Sequence, residues 1–456
     1  MAGKRDNFGS HFAAIMAMAG SAIGLGNIWR FPYVVGQNGG AAFIFVYLLA
    51  AVFLCIPIFL SEALIGKRTQ LSTFGALETL APGRNWKWMG LCTVLTPLII
   101  LSYYSVVGGW SLQYLVKAFA FEFTRPGVTQ SALSADFGGF IASTWAPLFF
   151  HTVFMLVNAL VLMAGVKSGI EKFTKITTPV LFVLIVIIVI YSISLPGAGA
   201  GVTYLIKPDF SKLTPSAVLS AMGQAFFSLS LGVGCILTYA SYLKKDSNLL
   251  STSLYTTIFD LIFAVIAGFA IMPAVFAAGI EPGAGPGLIF ETLPYIFSKM
   301  GSGLPVLSGV IAIIFFTTIV FAALSSSISM LETGVAYLVD QKHMSRGKAI
   351  AILFTGCWTL GVFCCLSFGP MADFRILGVT IFDLCDKMTS NFLMTFGSLL
   401  FTLFVGWKMK KSDVYDEFTN GGKLRFSVRV FGLAYFLIKY VAPIVIGVIF
   451  ITTLVM

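Results

Sequence analysis

Apolar runs long enough to cross a membrane recur from one end of this chain to the other, and this pattern limits the fold more than any other feature. Eleven are read, at about 11–37, 41–66, 88–121, 146–166, 174–196, 214–243, 247–279, 304–340, 347–369, 376–407 and 428–455. Each reaches the roughly 20 residues that a helix needs to cross about 30 Å of hydrocarbon. Of the 456 residues, 58% are apolar and 11% are charged. That leaves too little polar surface to keep a globular domain wet. The chain is therefore read as an all-α integral membrane protein, with its backbone polar groups satisfied inside helices. The longest stretch between runs, about 122–145, is too short for a soluble domain.

The net charge of +10 raises the question of nucleic acid, and its distribution answers it. With the N-terminus inside, 20 of the 29 lysines and arginines fall on the cytoplasmic side, six fall outside, and Arg30, Lys387 and Lys439 lie within spans. That asymmetry is the positive-inside signature of a membrane protein rather than a nucleic-acid surface. An odd number of spans then puts the C-terminus on the extracellular or periplasmic side. No cleavable leader is expected, because the first apolar run is long. The seven cysteines sit mostly in apolar spans without a C-x-x-C pair, and the three histidines are scattered. A metal or redox centre is not expected, and no nucleophile–base constellation points to an enzyme.

Two spans depart from the apolar pattern near their middles. The first reads GSAIGLGNIWRFP over residues 20–32, and the sixth reads QAFFSLSLGVG over 224–234. Taken singly, either could be tight packing through small residues, as in Gly20-x-x-x-Gly24. Taken together, interrupted spans at corresponding places in two halves point to a binding site at the membrane midplane. Unwinding frees carbonyls that can ligate a hard cation, and it exposes half-helix N-termini whose N–H groups attract an anion. Buried ionisable groups add to this reading: Arg30, Asp260, Asp383 and Asp386, with Glu62 and Glu332 nearer the cytoplasmic side as candidates for a structural role. Charges inside a bilayer are costly, so each one is a functional hypothesis. The hydroxyls of Ser325–Ser327 either face a site or bond back to their own helix.

The segments GSAIGLGNIWRFP (20–32), Asn38-Gly39-Gly40, GQAFFSLSLGVGCILTYASY (223–242), Ser102-Tyr103-Tyr104 and AALSSS (322–327) resemble the neurotransmitter:sodium symporters. The likeness is strongest to the bacterial amino acid branch typified by LeuT, and it runs from residue 4 to about 405. It implies a LeuT fold, with two inverted five-helix repeats over about 10–197 and 214–408 inside a core of residues 1–410. A loop and an eleventh helix follow over 411–456, where family members usually have twelve helices. The missing helix bears on whether a homodimer forms. A bacterial inner membrane is the implied setting.

The resemblance also implies site roles, residue by residue. A second sodium site would use carbonyls of Gly20, Ile23 and Ala322 with the hydroxyls of Ser325 and Ser326. A first would use Ala22, Asn27, Ser228 and, where the family often has asparagine, Asp260. All of these ligands are oxygens, as a hard cation requires. Tyr47 and Gln224 match the chloride pocket of animal members, but a carboxylate at Asp260 would already supply the negative charge, so chloride is expected to be dispensable. Monoamine carriers have an aspartate where this chain has Gly24, so the substrate here should bring its own carboxylate, to be met by Leu25, Gly26 and Tyr104. Its ammonium would face Ala22, Phe227, Ser228 and Ser326. Ile100, Tyr104, Phe227, Ser230, Val233, Ser326 and Met330 would surround the side chain, which favours a neutral hydrophobic or aromatic amino acid. Arg30 with Asp386 would form an outer gate, and Arg5 with Asp340, supported by Tyr242, an inner one. Proton coupling in the same architecture is the alternative. It would place a lysine or similar cation near the second sodium site, and none stands there. A receptor or channel would need a ligand-binding domain or a pore-lining repeat, and neither is visible.

Overall fold

The computed structural model describes residues 7–280, 285–301, 305–424 and 428–455. Thirteen helices frame the molecule: α1 His11–Ala22, α2 Gly26–Gln37, α3 Ala41–Thr69, α4 Trp86–Phe119, α5 Trp145–Met163, α6 Val166–Ile193, α7 Pro215–Ser228, α8 Cys235–Ala240, α9 Leu249–Ala277, α10 Pro305–Lys342, α11 Arg346–Leu366, α12 Ile381–Lys408 and α13 Arg429–Thr453. Among the described residues the only β pairing is an isolated bridge between Ile376 and Val379.

Nine of these helices are long and apolar enough to cross a membrane among the described residues, and α1 with α2 makes a tenth, bent by 52° at its break. The sixth expected span, 214–243, is split into α7 and α8, neither of which reaches bilayer length alone. The fifth span begins earlier than its expected residue 174. Gly165, at φ +86°, ends the preceding segment, and Val166 restarts a helix at once. The loop of about 122–145 carries a helix of its own, Gln130–Ala142.

Local chemistry sets the helix starts. Ser10, Thr214, Asn248 and Thr380 each accept a hydrogen bond from a backbone N–H in the first turn of α1, α7, α9 and α12. Such caps satisfy donors that have no partner inside the helix. Pro215 adds a residue already shaped for the first helical position. The long helices α4 and α10 pack against each other through the centre, and α1 lies against α6, α9 and α10. The two broken spans therefore sit inside the bundle, where unwound backbone is shielded from lipid. α13 packs on α12 at the periphery.

Candidate functional site

The first break is short and held by side chains. α1 ends at Ala22, and Ile23 turns to an extended backbone while its N–H still reaches Ala19. The first turn of α2 is wound wide, with the Phe31 N–H bonded to the Gly26 carbonyl. Asn27 Oδ1 accepts the Gly24 N–H at 3.1 Å, which closes a tight loop across the break. The Tyr104 hydroxyl, from α4, accepts the Leu25 N–H at 3.1 Å. Gln224 Nε2 donates to the Gly26 carbonyl at 3.1 Å. A Cβ at Gly24 would stand 3.0 Å from the Tyr104 hydroxyl, and one at Gly26 would stand 2.9 Å from the Phe227 ring.

One polar knot ties this break to α7 and α9. Asn27 Nδ2 donates to Ser228 Oγ at 2.9 Å and to Asp260 Oδ1 at 2.7 Å. Ser228 Oγ donates to Asp260 Oδ2 at 2.8 Å and accepts from the Tyr47 hydroxyl at 3.3 Å. Asp260 is fully buried. A buried carboxylate costs several kcal/mol to desolvate and persists where hydrogen bonds or a cation repay that cost. The knot gathers three of the four residues expected at the first sodium site, and the fourth, Ala22, is the last residue of α1.

A second oxygen cluster lies between α1 and α10. Ser325 Oγ lies 3.3 Å from the Ile23 carbonyl and 3.0 Å from that of Ala322. Ser326 Oγ donates to the carbonyls of Ser21 and Ile23 at 2.9 and 3.3 Å. Gly20 is pressed against α6, where an added Cβ would sit 2.8 Å from Thr178 Oγ1. Ser325 bonds both back to its own helix and across to the break, whereas Ser326 faces the break alone, so the two readings of the serine run divide between neighbouring residues.

The sixth break is built differently. Residues 229–234 hold three positive φ values, Ser230 at +51°, Gly232 at +79° and Gly234 at +71°. Glu62, fully buried on α3, accepts the Gly232 N–H at 2.6 Å, and the N–H groups of Gly234 and Leu237 face the same carboxylate. The carboxyl group stands at the start of α8, where backbone N–H groups have no partner inside the helix. On the other side, Gly232 lies against α12, where an added Cβ would stand 2.6 Å from Ser398 Oγ and 2.8 Å from the Ser398 nitrogen.

Between the breaks lies a narrow cavity of about 20 Å³. Ile100, Tyr104, Phe227, Ser230, Val233, Ser326 and Met330 all line it, with Ala22, Gly24, Leu25 and Gly26. Tyr104 and Phe227 separate it from an outer cavity of about 530 Å³, which Arg30 and Asp386 also line. Among the described residues no ion pair joins those two. The Arg30 guanidinium instead sits 4.8 Å from the centre of the Phe227 ring. Asp383 lines the same cavity.

Of the residues expected at the inner gate, Arg5 lies outside the described residues. Asp340 accepts the Ser72 N–H at 2.7 Å, and the Tyr242 hydroxyl donates to Glu332 at 2.6 Å. Arg346 grips Glu332 through both terminal nitrogens, at 3.0 and 2.6 Å. Sequence reasoning counted Arg346 only as a topological charge and left Glu332 as structural; nothing local reveals that they meet. It also missed Met394, which lines the narrow cavity from α12. An apolar residue in an apolar span carries no signal of what it faces.

Comparison with known proteins agrees with this architecture. The model of the Sodium:neurotransmitter symporter family matches residues 5–132 and 132–456. This chain belongs to that family. An uncharacterized sodium-dependent transporter of Bacillus subtilis, YhdH, is 37% identical over 98% of this chain and 97% of its own length. One from Haemophilus influenzae is 35% identical over 99% of this chain and 98% of its own. The crystal structure of MhsT in complex with L-phenylalanine superposes with a TM-score of 0.89 at 41% identity, covering 99% of this chain and all of that one. The all-helical LeuT fold expected from the sequence is thereby shown.

Proposed function

We propose that this family member imports neutral amino acids with hydrophobic or aromatic side chains, coupled to sodium and by alternating access. The observation that carries the reading is Gly24 and its surroundings. It offers no side-chain charge, its Cβ position is closed by Tyr104 and Ser326, and the free N-terminus of α2 begins beside it. An amine without its own carboxylate would find no anionic partner at this position. A zwitterion would present its carboxylate to the N–H groups near Leu25 and Gly26 and to the Tyr104 hydroxyl, next to a sodium ion. Its ammonium would face the carbonyls of Ala22, Phe227 and Ser228. The phenylalanine bound to MhsT is an example of that chemistry.

Two sodium ions fit the two oxygen clusters. The first takes Ala22, Asn27, Ser228 and Asp260; the second takes Gly20, Ile23, Ala322, Ser325 and Ser326. Both sets are hard oxygen donors. Asp260 supplies the negative charge that would otherwise call for chloride, so transport is chloride-independent. The transport core is 1–410, with inverted repeats over about 10–197 and 214–408, and 411–456 adds a peripheral loop and helix. The N-terminus is cytoplasmic. Arg30 with Asp386 closes the outer side, after Tyr104 and Phe227 have closed over the substrate, and Asp340 with Arg5 and Tyr242 closes the inner side. No lysine stands among the second-site residues to replace sodium, which disfavours proton coupling.

The test is uptake of each of the twenty amino acids by purified protein in liposomes, with and without an inward sodium gradient. Sodium-driven uptake of the hydrophobic and aromatic members is expected. Uptake indifferent to sodium, or driven only by a pH gradient, overturns the reading.

A further inference from the structure

Two cavities meet at one flexible side chain. Met394 lines the narrow pocket together with Ile100, Val233 and Met330. It also lines a larger side cavity of about 360 Å³ among α2, α7, α12 and α13. Phe227 and Met394 are the residues common to the two linings.

The helix is shaped to put Met394 there. Over Met388–Leu393, α12 is wound wide, and the Met394 N–H reaches back five residues to the Thr389 carbonyl. One extra residue in a turn rotates everything beyond it by about 100° relative to a regular helix of 3.6 residues per turn. Such turns recur at functional sites. The backbone here is fixed: Gly397 lies against the sixth break, and a Cβ there would stand 2.9 Å from the Gly232 carbonyl carbon. What can move is the thioether chain, which is unbranched and has three rotatable bonds.

The two sides of that chain differ in chemistry. The pocket is lined mainly by apolar residues, with hydroxyls at Tyr104, Ser230 and Ser326. The side cavity carries the Arg30 guanidinium and the polar groups of Ser216, Ser220, Asn391, Thr395 and Thr452. An indole N–H or a phenol O–H taken out of water needs a hydrogen-bond partner, and this cavity offers several.

Resting on the amino acid reading above, we infer that Met394 is a movable partition that sets the upper size limit of the transported side chain. Swung aside, it joins the pocket to the side cavity and admits an aromatic ring with a polar edge, as in tryptophan or tyrosine.

The experiment compares kcat/KM for valine, phenylalanine and tryptophan under a sodium gradient, in the native protein and in Met394→Ala and Met394→Ile. Alanine removes the partition, and β-branched isoleucine stiffens it. The tryptophan-to-valine ratio is expected to rise about tenfold in the first and fall about tenfold in the second, in the range that one or two methylenes command in an apolar pocket. Folding is checked by thermal unfolding in detergent. If Met394→Ala is not recovered folded, Met394→Leu set against Met394→Ile carries the test, since the two share a volume and differ in stiffness. Ratios within twofold of native in every folded variant overturn the inference while leaving sodium-driven uptake standing. A phenylalanine ratio that moves as far as that of tryptophan overturns the polar-edge part. Native protein without sodium-driven uptake overturns the underlying reading, and the inference falls with it.

Discussion

The two broken spans look alike as sequence, each a run of glycines and small polar residues in an apolar helix, yet they are held open by different forces. The first break is short, and side-chain hydrogen bonds from Asn27, Tyr104 and Gln224 hold it. The sixth is longer, passes through three positive φ values, and is held by one buried carboxylate and by backbone packing on α12. The first is therefore a place where oxygens converge, suited to ions and a charged substrate headgroup. The second is a place where chain shape is enforced, suited to forming a side-chain pocket. The lesson is that unwinding by itself says little; the groups that repay the lost helical hydrogen bonds decide what each break can do.

Gly232→Ala strikes the shape-enforced break and should have the largest effect. Its φ of +79° disfavours any side chain, and the added Cβ would press on α12. A loss of about 3 kcal/mol or more, typical of strain combined with overpacking, is expected. It would show as collapse of folded yield and of thermal stability in detergent. Native stability in this variant would mean that the α12 contact is not what holds the break.

Ser326→Ala strikes the first break more gently. It removes one hydroxyl that spans the Ser21 and Ile23 carbonyls. The protein should fold, but sodium affinity and substrate affinity should both fall about tenfold, the worth of one hydrogen bond to a charged group. Equilibrium binding of labelled substrate across a sodium titration measures this. Unchanged sodium dependence would remove Ser326 from the second site.

The smallest expected effect is none. Replacing chloride with a large inert anion should leave sodium-driven uptake unchanged, because the Asp260 carboxylate sits bonded to Asn27 and Ser228 at the proposed first sodium site. Abolished uptake would show that the buried charge does not stand in for the anion.

Much of the site was legible because its residues differ from their surroundings. A glycine pair, a hydroxyl run or a carboxylate stands out in an apolar span, and the pocket residues Ile100 through Met330 came from matching segments rather than from periodicity. Arg30 and Asp386 were legible as two charges, but not the arrangement in which the Arg30 guanidinium rests on Phe227. Glu62 was legible as a buried charge and not as the acceptor that holds the sixth break.

By itself the sequence determined the membrane setting, the helical class, the two breaks, the family and the absence of a side-chain charge at Gly24. These are local or compositional properties: hydropathy, glycine freedom and charge act within a turn or a span. Only the tertiary structure decided that Glu62 meets Gly232, that Arg346 meets Glu332 and that Met394 lines two cavities. Glu62 and Gly232 are 170 residues apart along the chain. Inside a bilayer most spans look equally apolar to one another, so which faces meet is settled by packing across the bundle and not by any signal within a span.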